Sequence, residues 1–591
     1  MHPLVVIVHF GCGQRPRCAS AFPKTLWVGV IFDPWEDSLS RPLTPLRSTD
    51  TACMSENGGM RKLLPTLIAM WIATPATAAE PLHKRIDKLI LAAAKGHAVA
   101  QRSSDTEFCR RIYLDFAGRI PTAAQVRQFI RDKSQNKRTK LIDRLMNSPE
   151  YVRRMSELFH VILIERRGDH DEWQAFLRNS FSKNKPWNQI AREILSPDAA
   201  DEKTRGSALF YTTRLKKYGQ NPTDYPGLTR DITRLFLGKD LQCAQCHNHL
   251  FIKDYRQLDF QGLYSVYLQT SIFGGKFPAI NERRMMKKHS FVSVFDPTQR
   301  ATGPRIPSGK EITIPPLPKT KKKPKKKPVG PKRPKFSAVA LVAGEMTRPT
   351  NADFARNIVN RMWFVMMGRG IVHPLDLHHS ENKPSHPQVL KLMADEFVKH
   401  KFDLKWLWRE LAMSETYQRS SRLGEGKKLP TTDRFTVFAE KRLSAEQLLW
   451  SFLTALEIDK TIAPGLAKGT PKKNDKLTEL NKIFLEAFAN PAREAEDEIR
   501  PTVKGALFLS NDEKLLTLLD DNGKNLTARL TKTKDDKKLI EEAFLSVYSR
   551  LPSKAESKTV KQFIKEAGPR KNAAKQLVWA LLSSAEFFTN H

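Results

Sequence analysis

Residues 119–151 contain, in order, Arg-Ile-Pro-Thr, Gln-Phe-Ile and Leu-Met-Asn-Ser-Pro-Glu-Tyr, and residues 550–587 contain Arg-Leu-Pro-Ser, Gln-Phe-Ile and Leu-Leu-Ser-Ser-Ala-Glu-Phe. In both copies a proline, Pro121 or Pro552, is followed by a hydroxyl side chain suited to N-capping a helix. Each copy therefore predicts three helices. The second starts at the Pro-Thr or Pro-Ser pair, and the third ends in Ser-x-Glu-aromatic. A related ending, Ser-Glu-Thr-Tyr at 414–417, closes another predicted helix. The repeat predicts small helical modules that pack against a larger body.

The spacing of apolar residues favours helices along most of the chain. Apolar side chains recur three or four residues apart, which is the period of one helix face. These positions include Leu89, Ile90, Leu141, Leu145, Ile232, Leu235, Phe354, Ile358, Leu390, Met393, Leu577 and Leu581. Strict alternation is scarce, and Phe-Val-Ser-Val-Phe at 291–295 is the best strand candidate. We predict a mainly α, multi-helical protein.

A basic, proline-rich segment divides the chain. Residues 319–335 contain ten Lys or Arg and no acid. Like charges repel one another and prolines interrupt helices, so we expect a disordered linker over 301–336. It would join two helical halves, an N-terminal domain at 79–300 and a C-terminal domain at 337–591. A tether to an anionic surface is the other interpretation of this segment.

The N-terminal region resembles an export signal that begins late. From Met60 the chain has two basic residues, an apolar run of signal-peptide length and Ala-Thr-Ala, a small-x-small cleavage site. We therefore expect a signal peptide at 60–78 and interpret 1–59 as a start-site misassignment, with translation from Met54 or Met60. A buried N-terminal helix is the alternative. The expected location is the periplasm, the cell surface or the extracellular space. No later stretch is long and apolar enough for a transmembrane segment.

The charge balance narrows the class of partner. The chain has 99 Lys and Arg against 63 Asp and Glu, a formal net charge of +36. Such a charge favours an anionic partner, and we expect an acidic polysaccharide or a redox partner. No recognisable nucleic-acid-binding module accompanies the charge, so no nucleic acid partner is expected.

The strongest chemical motif is Cys-Ala-Gln-Cys-His at 243–247, or C-x-x-C-H. In an exported chain this spacing is typical of c-type haem attachment. Two thiols can each bond a haem vinyl group, and the adjacent imidazole can be an axial ligand of the iron. We therefore predict haem c on Cys243, Cys246 and His247. Candidate distal ligands of the iron lie downstream, at Met285, Met286 and His289.

Two other interpretations of the motif stay open. Together with His249, the motif offers up to four ligands for zinc or iron. Adjacent Cys246 and His247 cannot easily both bind one tetrahedral ion, so such a site would need a further ligand. The candidates for it are His160, His170 and Cys109. A disulfide between Cys243 and Cys246 is the other interpretation, although the βαβ pattern of thioredoxin-like proteins is missing.

A proline-rich loop in the second half is a weaker candidate site. His378, His379 and His386 cluster there with Asp376 and Glu381. Loops carry function, so a metal site or a hydrolytic site could lie in this one. A solvated polar loop is the alternative.

A third group of residues could bind sugar. Arg361, Trp363 and Arg369 could line a cleft by stacking and charge. The alternative is that this Asn-Arg-x-Trp helix belongs to the core, with the arginine in a buried ion pair.

Several strings resemble known families. The stretches Arg-Ile-Tyr-Leu-Asp-Phe-Ala-Gly-Arg-Ile-Pro-Thr at 111–122 and Cys-Ala-Gln-Cys-His-Asn-His at 243–249 resemble the planctomycete cytochrome-associated family catalogued as domain of unknown function 1549. The stretches Arg-Pro-Thr-Asn at 348–351 and Ala-Arg-Asn-Ile-Val-Asn-Arg-Met-Trp at 355–363 resemble its partner family 1553. Together the two resemblances cover nearly all of the chain after the signal.

The resemblance implies an exported bacterial protein of a kind often found in chains that also carry cytochrome-like domains. It implies no established reaction. The first family commonly has an acid and a proline where this chain has Asn248 and Leu250, which puts in doubt any role of that acid in orienting a ligand. We expect an exported protein that binds haem c, or another metal, and acts in redox or polymer metabolism. A non-redox scaffold that binds acidic polysaccharide is the alternative.

Overall fold

The computed structural model describes residues 80–217, 220, 222–316, 330–464, 475–495, 505, 508 and 512–591. These residues form 24 α-helices and only short strands, which confirms the predicted mainly α fold class. The predicted signal peptide and the region 1–59 lie outside the described residues. Within the described ranges, no helix is long and apolar enough to cross a membrane.

The first half of the chain contains ten of the described helices and four strands. The helices are α1 (Leu82–Ala94), α2 (Asp105–Ala117), α3 (Ala123–Arg131), α4 (Lys137–Met146), α5 (Pro149–Ile164), α6 (Asp171–Ser182), α7 (Trp187–Leu195), α8 (Leu209–Leu215), α9 (Tyr225–Leu237) and α10 (Gln257–Tyr267). The strands β1 (Thr270–Ile272) and β2 (Ile280–Glu282) pair antiparallel, as do β3 (His289–Ser293) and β4 (Asp296–Thr302). The predicted strand at 291–295 extends too far, because Val294 and Phe295 form the turn between β3 and β4.

The second half contains the other described helices. They are α11 (Ala338–Met346), α12 (Ala352–Met367), α13 (Pro387–Lys399), α14 (Leu404–Met413), α15 (Glu415–Gln418), α16 (Ala445–Ala455), α17 (Asp459–Ile462), α18 (Asp475–Phe488), α19 (Glu513–Leu518), α20 (Leu526–Lys532), α21 (Asp536–Tyr548), α22 (Lys554–Glu566), α23 (Arg570–Leu582) and α24 (Ala585–Phe588). Strands β5 (Lys441–Arg442) and β6 (Thr589–Asn590) pair antiparallel and bring the end of the chain beside the start of α16.

The two halves share their hydrophobic cores. The larger core continues from the first half into α11–α14, where the Trp187 ring lies 6.1 Å from Phe236 and 6.2 Å from Phe354, centroid to centroid. The smaller core joins Leu114 and Ile120 of the first half to α16–α24. The described residues therefore belong to one packed unit, although the sequence suggests two halves on either side of a linker.

The predicted linker at 301–336 is too long. Its middle, 317–329, lies outside the described residues, but both of its ends pack on the body. Thr302 is buried, Ile312 contacts the larger core, and the NH of Glu282 donates to the carbonyl of Lys332 at 2.8 Å. These apolar and backbone contacts hold both ends in place despite the basic, proline-rich composition.

The two copies of the repeat have the same helix starts. At α3 the Thr122 side chain accepts from the NH of Gln125, and the Gln125 amide accepts from the NH of Thr122, so the two form a capping box. Ser553 and Glu556 form the same capping box at α22. The helix starts predicted at the proline pairs are therefore confirmed.

The end of each copy differs from the prediction. Ser148 accepts from the NH of Tyr151 and begins α5, and Ser584 accepts from the NH of Phe587 and begins α24. The Ser-x-Glu-aromatic string therefore starts a new helix and does not end the previous one. Sequence spacing alone misassigned it, because a serine suits the position just before a helix and the turn just after one.

An arginine joins the start of each copy to its end. Arg119 Nε donates to Glu150 Oε1 at 2.8 Å, and Arg550 Nε donates to Glu586 Oε1 at 2.6 Å. Each arginine also donates to the last residue of its capping box, at 3.2 Å in the first copy and 2.9 Å in the second. The repeat is therefore one structural unit that occurs twice. In each copy an equivalent Arg–Glu ion pair joins the start of the unit to its end.

Two buried arginines of α2 contact the end of the chain. Arg110 donates to the backbone carbonyls of Val547 and Phe587, each at 3.1 Å. Arg111 donates to the carbonyl of His591 at 3.3 Å. The first repeat copy is therefore tied directly to the last helices.

Candidate functional site

The C-x-x-C-H motif follows the end of α9. Gly238 terminates this helix with a positive φ of 68°, a conformation that glycine adopts without strain. Lys239 then forms a β-bridge with Leu377, and the NH of Asp240 donates to the carbonyl of Asp376 at 3.0 Å. The motif therefore begins where the first half of the chain touches the loop at 373–386 of the second half.

Side chains of α10 hold the backbone of the motif. Gln257 Nε2 donates to the carbonyl of Cys246 at 2.9 Å, and Gln261 Nε2 donates to the carbonyl of Gln245 at 2.8 Å. The NH of Val294, in the β3–β4 turn, donates to the same Cys246 carbonyl at 3.1 Å. The main chain is thus fixed from two sides, while the side chains of Cys243 and Cys246 stay exposed.

Both cysteines of the motif are exposed free thiols. Cys243 lies at the start of a 3-10 turn, Cys243–Gln245, and Cys246 follows that turn directly. The disulfide considered as an alternative is not formed in this structure. Two accessible thiols on one short turn are available for covalent chemistry.

His247 has a defined hydrogen-bonding state. Its Nδ1 lies 2.6 Å from the carbonyl oxygen of Asn248, which can only accept, so Nδ1 carries the proton and donates. The other ring nitrogen, Nε2, then holds a lone pair and has no hydrogen-bond partner among the described residues. An Nδ1–H donated to a backbone carbonyl is the usual arrangement of a histidine that binds a metal through Nε2.

Asn248 occupies the position where the resembled family commonly has an acid. Its side-chain Oδ1 accepts from the NH of Gln257 at the start of α10, at 2.9 Å. A carboxylate could accept the same hydrogen bond, so the amide keeps a bond that also orients the motif. The backbone hydrogen bond that an acid could accept at this position is therefore retained. Orienting a ligand is a separate role, which this bond does not supply.

His249 is engaged differently from His247. Its Nδ1 accepts from the NH groups of Phe251 and Ile252, at 3.2 and 3.0 Å, so Nε2 carries the proton. In this state neither ring nitrogen of His249 offers a lone pair to an ion. A zinc or iron ion on both His247 and His249 would require the turn at 249–252 to give up these hydrogen bonds.

The proposed additional metal ligands lie elsewhere. His160 accepts from the Trp173 indole at 3.0 Å, and His170 caps α6 by accepting from the NH of Glu172 at 3.2 Å. Cys109 is fully buried in the larger core, and burial raises the pKa of its thiol to about 12. No group of three or more His, Cys, Asp or Glu side chains in the described ranges is arranged to hold a metal ion.

The three candidate distal ligands are placed differently from one another. Met285 is buried, and Met286 is exposed beside a separate surface cavity of about 480 Å³. His289 Nε2 lies 3.2 Å from Gln261 Oε1, on the same glutamine that holds the motif. Of the three, His289 is therefore the one connected to the motif through a described contact.

Apolar side chains surround the motif at the surface. Leu250 is 65% exposed, Phe251 79% and Phe295 68%, and Val292 and Val294 are also exposed. The Phe295 ring centroid lies 4.8 Å from that of His247. We call these five residues the apolar rim. Exposed apolar side chains concentrated in one place mark a surface that binds something apolar.

The loop at 373–386 meets the motif from the other side. The Tyr255 ring lies 5.3 Å from His379 and 6.0 Å from His249, centroid to centroid, and the NH of Ser380 donates to Asp254 Oδ2 at 2.6 Å. In the sequence this loop is a separate candidate site, and neither Tyr255 nor Asp254 stands out there. No local signal could have paired segments that are 126 residues apart.

The three histidines of that loop do not form one cluster. His378 lies against Gly238, and burial lowers its pKa to about 4. His379 faces Tyr255, and burial also lowers its pKa, with a further contribution from His249. His386 instead packs on the Phe435 ring at 5.4 Å. The structure therefore does not assemble the predicted three-histidine site.

The predicted sugar cleft is also not formed as expected. Trp363 is fully buried in the larger core, with its ring 5.1 Å from Phe435. Arg361 forms a close ion pair with Asp376. The alternative, a core tryptophan beside a buried ion pair, is therefore correct.

Comparison with known protein families matches the two halves of the chain to two different families. Residues 85–271 match PSCyt2, described as a protein of unknown function (DUF1549), and residues 340–564 match PSD1, likewise of unknown function (DUF1553). The chain joins a DUF1549 domain to a DUF1553 domain. No curated protein and no solved structure matches it. The motif lies in the DUF1549 domain and the loop that meets it in the DUF1553 domain, so both families contribute to the site.

Proposed function

We propose that this protein is exported and carries c-type haem on the DUF1549 motif, with Cys243 and Cys246 as attachment residues and His247 as an axial ligand. The observation that supports it most is the hydrogen bond from His247 Nδ1 to the Asn248 carbonyl, next to two exposed thiols. It leaves the lone pair on Nε2, the nitrogen that such a ligand uses. Export rests on the sequence at 60–78.

The residues of the site fit the chemistry of attachment. Each thiol adds across one vinyl group, so that a carbon–sulfur bond forms and the thiol hydrogen goes to the vinyl carbon, without an added oxidant. This reaction needs both thiols reduced and accessible, as they are here. The porphyrin also needs apolar surroundings, and the apolar rim provides exposed side chains for them.

The remaining residues have positioning roles. Gln257 and Gln261 fix the backbone carbonyls of the motif, so that Cys246 and His247 keep their relative positions. Bound at this site, haem would supply one-electron redox chemistry. The exposed position of the motif suits exchange of electrons with a second redox protein. His289 is the candidate distal ligand best connected to the motif.

The test is expression with c-type haem maturation machinery, with a known c-type cytochrome as positive control. Wild-type protein should keep haem on a denaturing gel, because thioether bonds survive unfolding. The double variant Cys243→Ala/Cys246→Ala should lose the stain. Cys109→Ala is the matched control, since it removes a thiol outside the motif, and it should keep the stain.

His247→Ala separates attachment from ligation. It should retain covalent haem but shift the absorption spectrum, because the axial nitrogen is lost. A colourless wild-type protein beside a coloured positive control would refute the proposal. Stoichiometric zinc or iron in that colourless protein would support the non-haem metal interpretation. Absence of both would support the scaffold for acidic polysaccharide, for which the net charge of +36 is the supporting observation.

A further inference from the structure

A cavity lies where the two family domains meet, far along the chain from the C-x-x-C-H motif. It has a volume of about 260 Å³ and is bounded by α5, α12, the β5–β6 pair and the start of α16. Part of its wall is apolar, from α5 and α12, and part is charged. We call it the junction cavity. No residue of the motif or of the apolar rim lines it.

Arg154 of α5 lines the junction cavity without a partner. The residue is only 5% exposed, and its Nε is buried with no hydrogen bond. Its guanidinium forms no hydrogen bond and no ion pair with any residue that the structure describes. Burial lowers the pKa of Arg154, but an arginine stays a cation at neutral pH. A buried cation without a partner is costly, and such groups call for an explanation.

The neighbouring arginine on α5 shows that partners are available in this region. Arg153 forms an ion pair with Glu157 at 3.0 Å, donates to the carbonyl of Ala117 at 2.6 Å and lies 4.4 Å from the Trp450 ring centroid. Arg154 has none of these contacts. Its stem packs on Gly118, where a Cβ would lie 3.0 Å from Arg154 Cδ. The side chain is thus directed by packing and not by a carboxylate.

The carboxylates near Arg154 already have other cations. Asp115 accepts from Lys441 at 2.9 Å, Glu157 pairs with Arg153, and Glu446 pairs with Arg166 at 2.9 Å. Each of these three carboxylates therefore already has a cationic partner other than Arg154. An anion that enters the cavity would meet two cations without an ion pair in the described residues, the buried Arg154 and the exposed Arg442, and one acid without such a pair, the exposed Glu440.

The cavity also offers an unused acceptor. Asn590, at the end of the chain, donates its Nδ2 to Asp115 at 3.0 Å, and this fixes the orientation of its amide. Its Oδ1 is buried with no hydrogen-bond partner in the described residues. A ligand hydroxyl could donate to this oxygen. The cavity therefore presents one buried cation, Arg154, and one buried acceptor, Asn590 Oδ1, that no described residue satisfies, beside the exposed charges of Glu440 and Arg442.

We propose that the junction cavity binds a small molecule that carries a carboxylate or phosphate group together with hydroxyl groups, such as a sugar acid or a sugar phosphate. Arg154 pairs with the anionic group, since a guanidinium matches the geometry of both oxyanions. Asn590 Oδ1 accepts a hydroxyl, and the apolar wall covers the carbon skeleton. The volume suits one monosaccharide-sized unit. Because both domains line the cavity, the ligand should also stabilise their contact.

Calorimetric titration of the full chain with glucuronate, glucose 1-phosphate and glucose tests this proposal. The two anions should bind and the neutral sugar should bind at least about tenfold more weakly, because a hydrogen bond to a charged group is worth about 1.5–3 kcal/mol. The tighter of the two anions identifies the source of the anionic group. The probes do not involve the motif, so the outcome is independent of haem attachment.

Arg154→Met keeps the aliphatic stem and removes the charge. It should weaken binding of either anion at least about tenfold, and Asn590→Ala should weaken it less. Arg131→Met, an exposed arginine at the end of α3, is the matched control and should bind like the wild type. Without ligand, Arg154→Met should melt no lower than the wild type, since no protein partner is lost.

Three results would overturn the proposal. One is no binding of either anion at millimolar concentration. The second is equal binding by the wild type and by a folded Arg154→Met variant. The third is a much lower melting temperature of ligand-free Arg154→Met, which would show that Arg154 is paired within the protein. If Arg154→Met does not fold, Arg154→Lys replaces it in the titration and should bind more weakly than the wild type.

Discussion

Arg119 joins the start of the first repeat copy to its end, and Arg550 does the same in the second copy. Replacing Arg119 should lower the stability of the protein more than replacing Arg550. Arg119→Met keeps the aliphatic stem and deletes the guanidinium. The Arg119 side chain is 8% exposed, and its partner Glu150 is 13% exposed. The substitution therefore leaves a largely buried carboxylate without its cation. The Arg550 side chain is more exposed, at 26%, and so is one of its two partners, Glu586, at 22%, whereas the other, Glu556, is 6% exposed.

The expected magnitudes follow from this difference. Breaking a buried ion pair by removing one partner costs about 3–5 kcal/mol, and the low end applies because Glu150 retains some contact with water. We expect about 3 kcal/mol for Arg119→Met. The exposure of Arg550 itself and of Glu586 reduces the value for Arg550→Met to about 2 kcal/mol, since Glu556 stays buried. Arg119→Met combined with Glu150→Gln should be less destabilised than the sum of the two single changes by about 1 kcal/mol or more, because the unpaired charge is gone.

Native-state hydrogen exchange is the suitable assay. A chain with two large cores need not unfold in one step, so a single global free energy is not defined. Exchange at α3 and α5 reports the local free energy of opening of the first copy, and exchange at α22 and α24 reports that of the second. Arg131→Met is the control. The reasoning would be refuted if Arg119→Met matched this control, or if the changes at 119 and 550 cost the same.

Three further predictions concern other parts of the fold. Trypsin cleavage between 317 and 329 should give two polypeptides that still co-elute in native size-exclusion chromatography, because they share both cores. Gly238→Ala should lower the melting temperature more than Gly96→Ala: both positions have positive φ, but a Cβ at 238 would lie 2.6 Å from the His378 ring, whereas at 96 it meets nothing within 4 Å. Stability should fall as pH decreases from 6.5 towards 4, because the unfolded chain protonates His378 near 6.5 and the folded protein only near 4. His378→Asn should reduce this slope in melting temperatures measured against pH.

Each of these has a clear contrary outcome. Separation of the nicked chain into two stable species would show that the halves fold independently. Equal effects of the two glycine changes would mean that the ring does not confine position 238. An unchanged pH slope in the His378 variant would assign the acid sensitivity to the other buried histidines.

Local sequence signals predicted the helices and their starts well. Thr122 and Ser553 could be recognised as caps because a capping box needs only residues three apart. Ser148 was misassigned, since the same residue type suits a helix start and the turn after a helix. Its role as a cap has a local signal, since Pro149 follows at the first helical position and Glu150 lies in the first turn. The sequence predicted strand β3 but not where it ends. The strand stops at Ser293 because residues 294–295 form a turn.

The candidate site was only partly predictable. The motif itself is visible in the sequence, but the exposure of its apolar neighbours is not. Its contact with His379 is not, because no periodic pattern links the two segments. Arg154 had no signal at all: an arginine beside Arg153 on a helix looks like an ordinary surface charge. What distinguishes it is that the neighbouring carboxylates, Asp115, Glu157 and Glu446, are paired with other cations, and composition cannot show that.

The contacts of Arg110 and Arg111 with the last residues have a consequence for biosynthesis. Arg111 is translated 480 residues before His591, whose carbonyl it binds. Until those late residues leave the ribosome, Arg110 lacks its native acceptors, and Arg111 has Glu107 within α2 but lacks the His591 carbonyl. Vectorial folding from the N-terminus therefore stops short of the native packing of α2, and the nascent chain stays open until synthesis reaches these acceptors. The native contacts of α2 are therefore completed only after residues 547–591 have been synthesised.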